Sequence, residues 1–323
     1  MTSVYGNIRP EDEYTHPLGP ESNFNESMYF NFFDRPKGYG GFLRVGNRAN
    51  EGYAEVTVCV YLPTGEVLFS WRRQEISNNE ALDAGGVRFD VIEPLVSHRT
   101  TFEGTAVFLA EPEQMAEPRE AFQSNPHKPV SIDLTHEAVG PVFGTAAEQS
   151  ETVDPEKEFA RAHYEQHMRV RGSLVVDGTE VAIDGYGLRD HSWGPRYWQA
   201  IKSYRWLNCT FGPDFGIMVS EICPSDDARI QNGVVVRGES LERITSVDID
   251  TKFDADAPYH RSMTADLGLE NGGKVTLQGE VKGFIPLRNR RAGMVTHIGE
   301  GMTEYRCEGR TGLGISEYLD QLT

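Results

Sequence analysis

The residues best suited to chemistry lie in one segment, between Gly185 and Trp198. These fourteen residues include one aspartic acid, one histidine, two arginines, two tryptophans and two tyrosines. Three of the four tryptophans of the chain, at positions 193, 198 and 206, lie in or near this segment. Ionisable groups beside a large aromatic surface are typical of a site for acid–base chemistry on an apolar substrate. If the protein is an enzyme, we expect the reaction to take place here.

Asp190 and His191 are the candidate catalytic residues. They follow a predicted strand over residues 181–186, so we expect them at the rim of a sheet or barrel. Burial among aromatic side chains favours the neutral form of a carboxylic acid, which can then protonate an alkene or a carbonyl. A charged imidazole or an arginine beside the acid, such as Arg189 or Arg196, would lower its pKa instead. The alternative role for Asp190 is structural, as an acceptor of backbone N–H bonds.

Aromatic and polar side chains around this pair are candidates for binding the substrate. The faces of aromatic rings stabilise a carbocation, whereas in the alternative interpretation the rings only fill the interior of a wide barrel. We favour the binding role for the cluster as a whole, and core filling for any tryptophan taken singly. The candidate substrate-binding residues are Tyr186, Trp193, Arg196, Tyr197, Trp198, Trp206, Gln166 and Glu26.

Two histidines raise the question of a metal site. His163 and His167 are four residues apart, which would place both on one side of a helix, but the glutamate that directly follows the first histidine in zinc peptidases is absent. The sequence also lacks the nucleophile-elbow, phosphate-loop and dinucleotide-binding patterns. We therefore expect no metal ion and no cofactor.

Composition and charge argue against several classes of protein. The formal net charge of −18 argues against binding to nucleic acid, whose phosphates would be repelled. The four cysteines form no Cys-x-x-Cys pair, so neither a disulfide framework nor a structural zinc site is indicated. The N-terminus lacks the pattern of a signal peptide, and no apolar run reaches the ~18 residues that a membrane span requires. We expect a cytoplasmic protein whose partner is a hydrophobic small molecule, and we leave open whether it forms a homodimer.

Turns and short alternating segments predict an all-β fold. Residues 53–62 and 66–71 alternate on either side of a Pro-Thr-Gly turn, where proline and glycine supply the turn dihedrals. The same pattern recurs around Asp177-Gly178 and around a Gly-Gly turn at residues 272–273. Each of these segments predicts a β-hairpin.

The length of 323 residues exceeds what one hydrophobic core usually requires, so two domains are expected. The main helical signal lies over residues 154–168, with an aspartate as N-cap and a proline at the first helical position. We interpret residues 111–130 as a long surface connection. The predicted helix would then join an N-terminal β-domain, residues 1–153, to a C-terminal β-domain, residues 154–323, that carries the Asp-His-Ser-Trp-Gly motif.

The Asp-His-Ser-Trp-Gly sequence at residues 190–194, at the end of a β-hairpin, resembles the signature of the carotenoid 1,2-hydratase (hydroxyneurosporene synthase) and AttH-like superfamily. Supporting features are Glu-Ser-x-Tyr at residues 26–29 and a closing series of acids and glycines over residues 300–317. The resemblance implies two consecutive lipocalin-like β-barrel domains with a ligand cavity in or between them. It also implies cofactor-free chemistry on hydrophobic, often isoprenoid, molecules, with roles for the first, second and fourth residues of the motif.

The leading hypothesis is a cofactor-independent hydratase or dehydratase that acts on a terpenoid- or steroid-like substrate. Asp190 would deliver or remove the proton, and His191 would orient Asp190 or activate the attacking water. The tryptophans at 193, 198 and 206 would shield a cationic transition state from bulk water. An isomerase or a cyclase needs the same parts. From other classes, the alternatives are a carrier that only binds a hydroxyl group of its ligand and a structural accessory of another enzyme.

Overall fold

Antiparallel strands make up most of the computed structural model, which describes residues 2–146, 161–291 and 293–322. The N-terminal strands are β1 Val4–Gly6, β2 Phe24–Asp34, β3 Tyr39–Arg48, β4 Tyr53–Tyr61, β5 Val67–Glu75, β6 Asp83–Ala84, β7 Val87–Glu93, β8 Ser97–Leu109, β9 His127–Thr145, β10 Ala162–Val176 and β11 Thr179–Pro195. The C-terminal strands are β12 Ser203–Gly212, β13 Phe215–Ser225, β14 Ala228–Arg237, β15 Ser240–Phe253, β16 His260–Leu269, β17 Lys274–Arg291, β18 Met294–Cys307 and β19 Arg310–Gln321. The predicted all-β, two-domain fold class is confirmed.

The first eleven strands form one sheet, in the order β1-β9-β10-β11-β2-β3-β4-β5-β8-β7-β6. Strand β8 also pairs with β9, and this pairing joins eight of the strands into a ring, which we call the N-terminal barrel. Inward-facing apolar side chains fill it, among them Phe30, Leu43, Val58, Phe102 and Met168. Their burial supplies the main driving force for this arrangement.

Strands β12 to β19 form a second, closed barrel, which we call the C-terminal barrel. Each strand pairs with the next along the chain, and β12 closes the ring by pairing with β19. Alternate side chains point inward, so Leu207, Ile217, Leu267, Leu277 and Tyr318 pack in its interior. The side chains between them point outward, and some of these face the N-terminal barrel.

The hairpin that carries the motif is hydrogen-bonded into the N-terminal barrel. Strand β10 pairs with β9, and β11 pairs with both β10 and β2. The change from one barrel to the other therefore falls between Pro195 and Ser203. A division into folding domains after residue 153 stays a prediction.

The predicted helix over residues 154–168 is wrong from residue 162 onward, because Ala162–Val176 form β10. Residues 154–160 lie outside the described residues. Pairing of β10 with strands on both sides outweighs the local capping signals, which are weak priors. The α-helix of the described residues is α1, Pro118–Ser124, in the segment that we interpreted as a surface connection. No helix in the described ranges is long and apolar enough to cross a membrane.

The turn between β10 and β11 sets the register of the whole hairpin. Asp177 and Gly178 both have positive φ angles, of 51° and 78°, as a two-residue hairpin turn requires. Counting back from this turn places Glu165 directly opposite Asp190. Farther along β11 the chain approaches β2 so closely that a Cβ atom on Gly187 would lie 2.0 Å from the backbone oxygen of Asn31.

The two barrels meet through their outer faces. Asn31 Nδ2 donates to Asn208 Oδ1 at 3.1 Å, which joins β2 to β12. Thr210 Oγ1 donates to the carbonyl oxygen of Gly187 at 2.7 Å, which joins β12 to β11. Both contacts are buried, so water competes weakly for them and they fix how the barrels face each other. The cavity described next lies between these faces.

Candidate active site

A cavity of about 550 Å³ lies between the two barrels. Strands β2, β3, β4, β5, β10 and β11 of the N-terminal barrel form one wall, and outward-facing residues of the C-terminal barrel form the other. Met115, Pro118 and Phe122, from α1 and the turn before it, line one side. The volume is typical of pockets for small organic ligands. Five carboxylic acids line it among the described residues, and they are Glu55, Glu165, Asp190, Glu300 and Glu317.

Three titratable side chains lie together on the wall formed by β10 and β11. His163 Nε2 is hydrogen-bonded to Asp190 Oδ2 and lies 3.8 Å from Glu165 Oε1. Burial acts to lower the pKa of His163, but the negative charge of Asp190 and its hydrogen bond outweigh burial and raise this pKa to about 9. Burial likewise acts to raise the pKa of Asp190, and the positive charge of His163 overcomes it and holds the pKa below its usual value. His163 and Asp190 therefore form an ion pair at neutral pH.

Glu165 is the neutral acid of this group. Burial raises its pKa to about 8, and the positive charge of His163 opposes this only in part. Trp206 Nε1 donates a hydrogen bond to Glu165 Oε1 at 2.8 Å. Glu165 Oε2 is buried and has no hydrogen-bond partner among the described residues.

The C-terminal barrel adds two more neutral acids to the cavity. Glu300 and Glu317 are directly paired on β18 and β19, and both side chains point out of the barrel. Burial raises the pKa of each to about 8. Across the cavity is Tyr29, whose pKa is raised well above its usual value, chiefly by burial. At neutral pH this part of the wall is polar but uncharged.

Two guanidinium groups lie at the Trp198 side of the cavity. Arg44 from β3 and Arg196 from the connection after β11 lie 5.9 and 5.5 Å from the centre of the Trp198 ring. Arg196 Nη2 donates to Ser192 Oγ at 3.0 Å. Burial, together with the positive charge of Arg44, lowers the pKa of Arg196 to about 10. Both arginines are charged at neutral pH.

The structure brings four of the sequence-predicted site residues to this cavity, and they are Asp190, Arg196, Trp198 and Trp206. His191, Trp193, Gln166 and Glu26 are not among its lining residues. The reason is the alternation of side chains along a strand. Asp190 points out of the N-terminal barrel, so the next residue, His191, points into it. Adjacent positions in the motif thus lie on opposite sides of one wall.

His191 belongs to a polar network inside the N-terminal barrel. Its Nε2 lies 2.6 Å from Glu26 Oε1, and its Nδ1 lies 3.1 Å from the hydroxyl oxygen of Tyr164. The same Glu26 oxygen bonds to His16, whose ring stacks on Trp193 at 3.8 Å between centroids. Burial acts to raise the pKa of Glu26, but the hydrogen bonds from His16 and His191 lower it to about 2. The carboxylate is therefore ionised and satisfied inside the barrel.

A second part of this network surrounds Arg189. Its guanidinium group binds both oxygens of Glu13, at 3.0 and 2.6 Å, and also contacts Gln166 Oε1. His98 bonds to Glu13 at 2.6 Å. All four side chains are buried. The predicted candidate Gln166 thus holds an arginine in place inside the barrel.

The remaining two candidates are not among the lining residues of the main cavity. Tyr186 lines a separate cavity of about 310 Å³, where Arg169 lies over its ring at 4.6 Å. Tyr197 precedes the short 3-10 turn Trp198–Ala200 and is half-buried. A role for Tyr197 in binding the substrate stays a prediction.

Several cavity residues were absent from the sequence-based set. Glu165 is the most important, and the others that bear on the chemistry are His163, Glu300, Glu317, Tyr29 and Arg44. The hairpin register contained the signal for Glu165, since symmetric counting from Asp177-Gly178 pairs it with Asp190. A helix over residues 154–168 is incompatible with this pairing, so Glu165 was absent from the predicted site.

Two groups of side chains have donor atoms close enough to raise the question of a metal ion, His16, Glu26 and His191 in one and His163, Glu165 and Asp190 in the other. In the first, His191 Nε2 and Glu26 Oε1 are 2.6 Å apart. Ligand atoms around one zinc ion, each at about 2.0–2.2 Å from it in tetrahedral geometry, stand roughly 3.3 Å apart. In this group the contact therefore fits a shared proton rather than a shared ion. The metal-free site stays a prediction.

Comparison with known proteins places the fold. The structure superposes on an AttH-type protein from Nitrosomonas europaea with a TM-score of 0.59 and 14% identity, over 98% of both chains. Kievitone hydratase from Nectria haematococca gives a TM-score of 0.56 and 11% identity, over 100% of this chain and 97% of the other. CghA with Sch210972 gives 0.55 and 12%, over 95% and 94%. No curated protein sequence matches significantly.

These structural matches confirm the resemblance to the AttH-like proteins at the level of the fold. A sequence family described as a domain of unknown function, DUF7064, matches residues 9–322. That range covers both barrels and every residue of the cavity wall. The chain therefore belongs to the DUF7064 family.

Proposed function

We propose that the protein is a hydro-lyase, a hydratase or dehydratase that acts on a hydrophobic substrate by acid–base chemistry without a cofactor. One observation carries the proposal. A neutral carboxylic acid, Glu165, and an ionised one, Asp190, lie side by side on the wall of the cavity, with His163 between them. Paired acids with pKa values shifted in opposite directions are typical of a proton donor and a proton acceptor.

The reaction follows from these protonation states. Glu165 donates its proton to one carbon of a carbon–carbon double bond, and positive charge forms on the adjacent carbon. Water attacks that carbon to form the new C–O bond, while Asp190 accepts a proton from the attacking water. The proton then passes from Asp190 through His163 to Glu165, which restores the starting state. Dehydration of an alcohol is the same sequence in reverse.

The cavity wall suits a cationic intermediate. Trp206, Trp198 and Tyr29 present aromatic surface near the acids, and ring faces attract positive charge. The ionised Asp190 stabilises the same charge, more strongly than in water because the acids on this wall are largely buried. Apolar residues such as Phe42 and Met218 complete the wall. A terpenoid- or steroid-like skeleton fits this combination of size and surface.

The structural neighbours include a hydratase, which supports the proposed class of reaction. Kievitone hydratase has the same fold at 11% identity, so this architecture can house a hydratase. The identity is too low to transfer its substrate. The substrate class proposed for this chain rests on its own cavity.

An isomerase or a cyclase is the second candidate, and the position of His163 favours it. One nitrogen, Nε2, lies next to both Asp190 and Glu165. A proton that Asp190 removes from one carbon of the substrate can therefore return to another carbon by way of Glu165. This route needs no water molecule in the product.

Water labelled with heavy oxygen and deuterium distinguishes these reactions. The protein is incubated with a panel of alkenyl and tertiary-alcohol terpenoids and steroids, and the products are analysed by mass spectrometry. A hydratase incorporates both labels, an isomerase or a cyclase incorporates deuterium at most, and a carrier returns its ligands unchanged. Failure of every panel compound to react would contradict the enzyme proposal.

Two variants locate the acid and the base. Glu165→Gln keeps the shape of the site but removes the acid, so we expect the rate to fall by about 10²–10⁴-fold while the ligand still binds. Asp190→Asn removes the base and should cause a loss of similar size. Glu55→Gln is the matched control, because Glu55 also lines the cavity but is paired with Arg73 at 3.0 Å. A Glu165→Gln protein that works at the wild-type rate would overturn the mechanism.

A further inference from the structure

We infer that the ligand carries a carboxylate or an equivalent anionic group, bound by Arg44 and Arg196 on the Trp198 side of the cavity. The inference deepens the proposed function, because it concerns the substrate of the same cavity. It names a substrate class, a hydrophobic acid, that the hydration chemistry alone does not require. The observations that support it are the geometry of the two arginines and the charges around them.

The two guanidinium groups converge on one place in the cavity. Arg44 comes from β3, and Arg196 comes from the connection between the barrels, yet both lie within 6 Å of the same indole ring. Arg44 Nη2 is buried and has no hydrogen-bond partner among the described residues. Arg44 itself lines the cavity, and a buried cation without a hydrogen-bonded acid is costly, so a ligand that supplies an acceptor to this guanidinium group stabilises it. Carboxylates match the planar fork of arginine.

Two acids near Arg44 already have other partners. Glu55 attracts Arg44, but its carboxylate bonds to Arg73 at 3.0 Å. Asp190 also attracts Arg44, but it forms the ion pair with His163. The other acids on the wall, Glu165, Glu300 and Glu317, are neutral at neutral pH because burial raises their pKa values to about 8. Among the described residues, none of these acids forms a salt bridge with Arg44.

Further arginines on the cavity wall favour an anionic ligand. Arg288 and Arg290 also line the cavity, although the chain as a whole has a formal net charge of −18. Arginine is thus concentrated at the cavity of an otherwise acidic protein. A local positive potential of this kind raises the rate at which an anion associates. A neutral terpenoid would gain nothing from it.

Binding of matched acids and esters tests the inference. The probes are abietic acid, a bile-type steroid acid and farnesoic acid, each compared with its own methyl ester by isothermal titration calorimetry. Each pair has nearly the same shape and differs in charge. For at least one skeleton, we expect the wild-type protein to bind the acid about 10–100-fold more tightly than the ester, as one charged hydrogen-bonded pair is worth. Equal or tighter binding of the esters, or failure of all three acids to bind, would overturn the inference.

Variants then assign the preference to the two arginines. Arg44→Gln and Arg196→Gln should each remove most of the preference for the acid and leave ester affinity nearly unchanged. Arg73→Gln is the control, because Arg73 lines the same cavity but is half-exposed and bonded to Glu55. If Arg73→Gln removes the preference as fully as Arg44→Gln, the anion is bound elsewhere and the assignment is wrong. Should one variant fold poorly, the other and the wild-type comparison still decide the question.

Product labelling by the wild-type protein, together with the same titrations of Glu165→Gln, separates this inference from the proposed reaction. Glu165→Gln should keep the preference for the acid, because both arginines are unchanged. A preference for acids in the wild-type protein, with no labelled product from any substrate, would leave anion binding standing and the hydratase proposal refuted. Labelled product without any preference for acids would support the hydratase proposal and refute anion binding by the two arginines.

Discussion

Two acids that stand opposite each other on neighbouring strands have different protonation states in this site, and one histidine accounts for the difference. His163 Nε2 bonds directly to Asp190 but stands 3.8 Å from Glu165. Asp190 therefore gains most of the stabilisation from the imidazolium charge, while Glu165 is governed by burial. Electrostatic interactions weaken with distance, and a buried site with a low effective dielectric enlarges the contrast. The proposed donor role of Glu165 and acceptor role of Asp190 follow from this arrangement.

The rate of the proposed reaction should depend on pH through Glu165. Its pKa of about 8 means that the acid is protonated below that pH, so activity should fall as the pH rises through about 8. The measurement is the initial rate across pH with the substrate that incorporates label. Glu55→Gln should keep the same profile. A rate that increases through this range would show that the essential group acts in its ionised form.

Replacement of His191 should affect stability more than chemistry. His191→Gln removes the partner of Glu26 and Tyr164 inside the barrel, which should lower the free energy of unfolding by roughly 3 kcal/mol. Urea denaturation measures this change, and His127→Gln, at an exposed histidine, is the control. Turnover by the folded variant should stay within about tenfold of wild type, because His191 does not reach the cavity. Loss of turnover as large as that of Glu165→Gln would show that His191 takes part in catalysis.

For single residues, the place of the candidate site was easier to predict from the sequence than the role of each side chain. The motif segment does supply Asp190, Arg196 and one of the cavity tryptophans, Trp198. The adjacent residue His191 could not be assigned from its position in the motif, because a one-residue step along a strand reverses the side of the wall. Glu300 and Glu317 come from the end of the chain, and only closure of the second barrel brings them to the cavity.

At the scale of elements, the hairpin β10–β11 is the unit that builds the site. Its turn was predictable from Asp177-Gly178, and the register that follows places Glu165 beside Asp190. The start of β10 was not predictable, because residues 154–168 carry helix-start signals and the strand is stabilised by partners far away in sequence. Non-local pairing of this kind overrides local propensity.

The close approach of β11 to β2 gives a test of this element. A methyl group on Gly187 would meet the backbone oxygen of Asn31 at 2.0 Å, so Gly187→Ala must move one strand. We expect a loss of about 1–3 kcal/mol in the free energy of unfolding, as overpacking typically causes. Gly212→Ala is the matched control, since the nearest atom to its Cβ would lie at 3.7 Å. Equal stability of the two variants would show that β11 is not held against β2 as described.

Across the whole molecule, buried acids have different protonation states in two places, inside the N-terminal barrel and in the cavity between the barrels. Inside the N-terminal barrel, Glu13 and Glu26 are ionised and bonded to cationic or histidine partners, which lowers their pKa values despite burial. Between the barrels, Glu165, Glu300 and Glu317 are neutral because burial dominates. The first pair contributes stability that is present above the ordinary glutamate pKa and is lost as the pH falls. The second group contributes stability that is present below the ordinary pKa and is lost as the pH rises to about 8.

The alkaline side of this balance can be tested with Glu300→Gln. Glutamine removes an acid whose ionisation destabilises the folded state, so the variant should gain thermal stability relative to wild type as the pH is raised from about 6 to about 9. Thermal unfolding at several pH values measures this difference. Glu103→Gln, at an exposed glutamate, should show no such gain. A constant difference between Glu300→Gln and wild type at all pH values would mean that Glu300 is already ionised at neutral pH.

Glu165 must be protonated to act as the proton donor, and infrared difference spectroscopy shows directly whether it is. The spectrum of the wild-type protein minus that of Glu165→Gln is recorded at about pH 6 and at about pH 10, on either side of the expected pKa. At the lower pH we expect the carbonyl stretch of a neutral, buried carboxylic acid. At the higher pH we expect carboxylate bands in its place. Carboxylate bands at both pH values would show that Glu165 is already ionised, and it could not then be the proton donor.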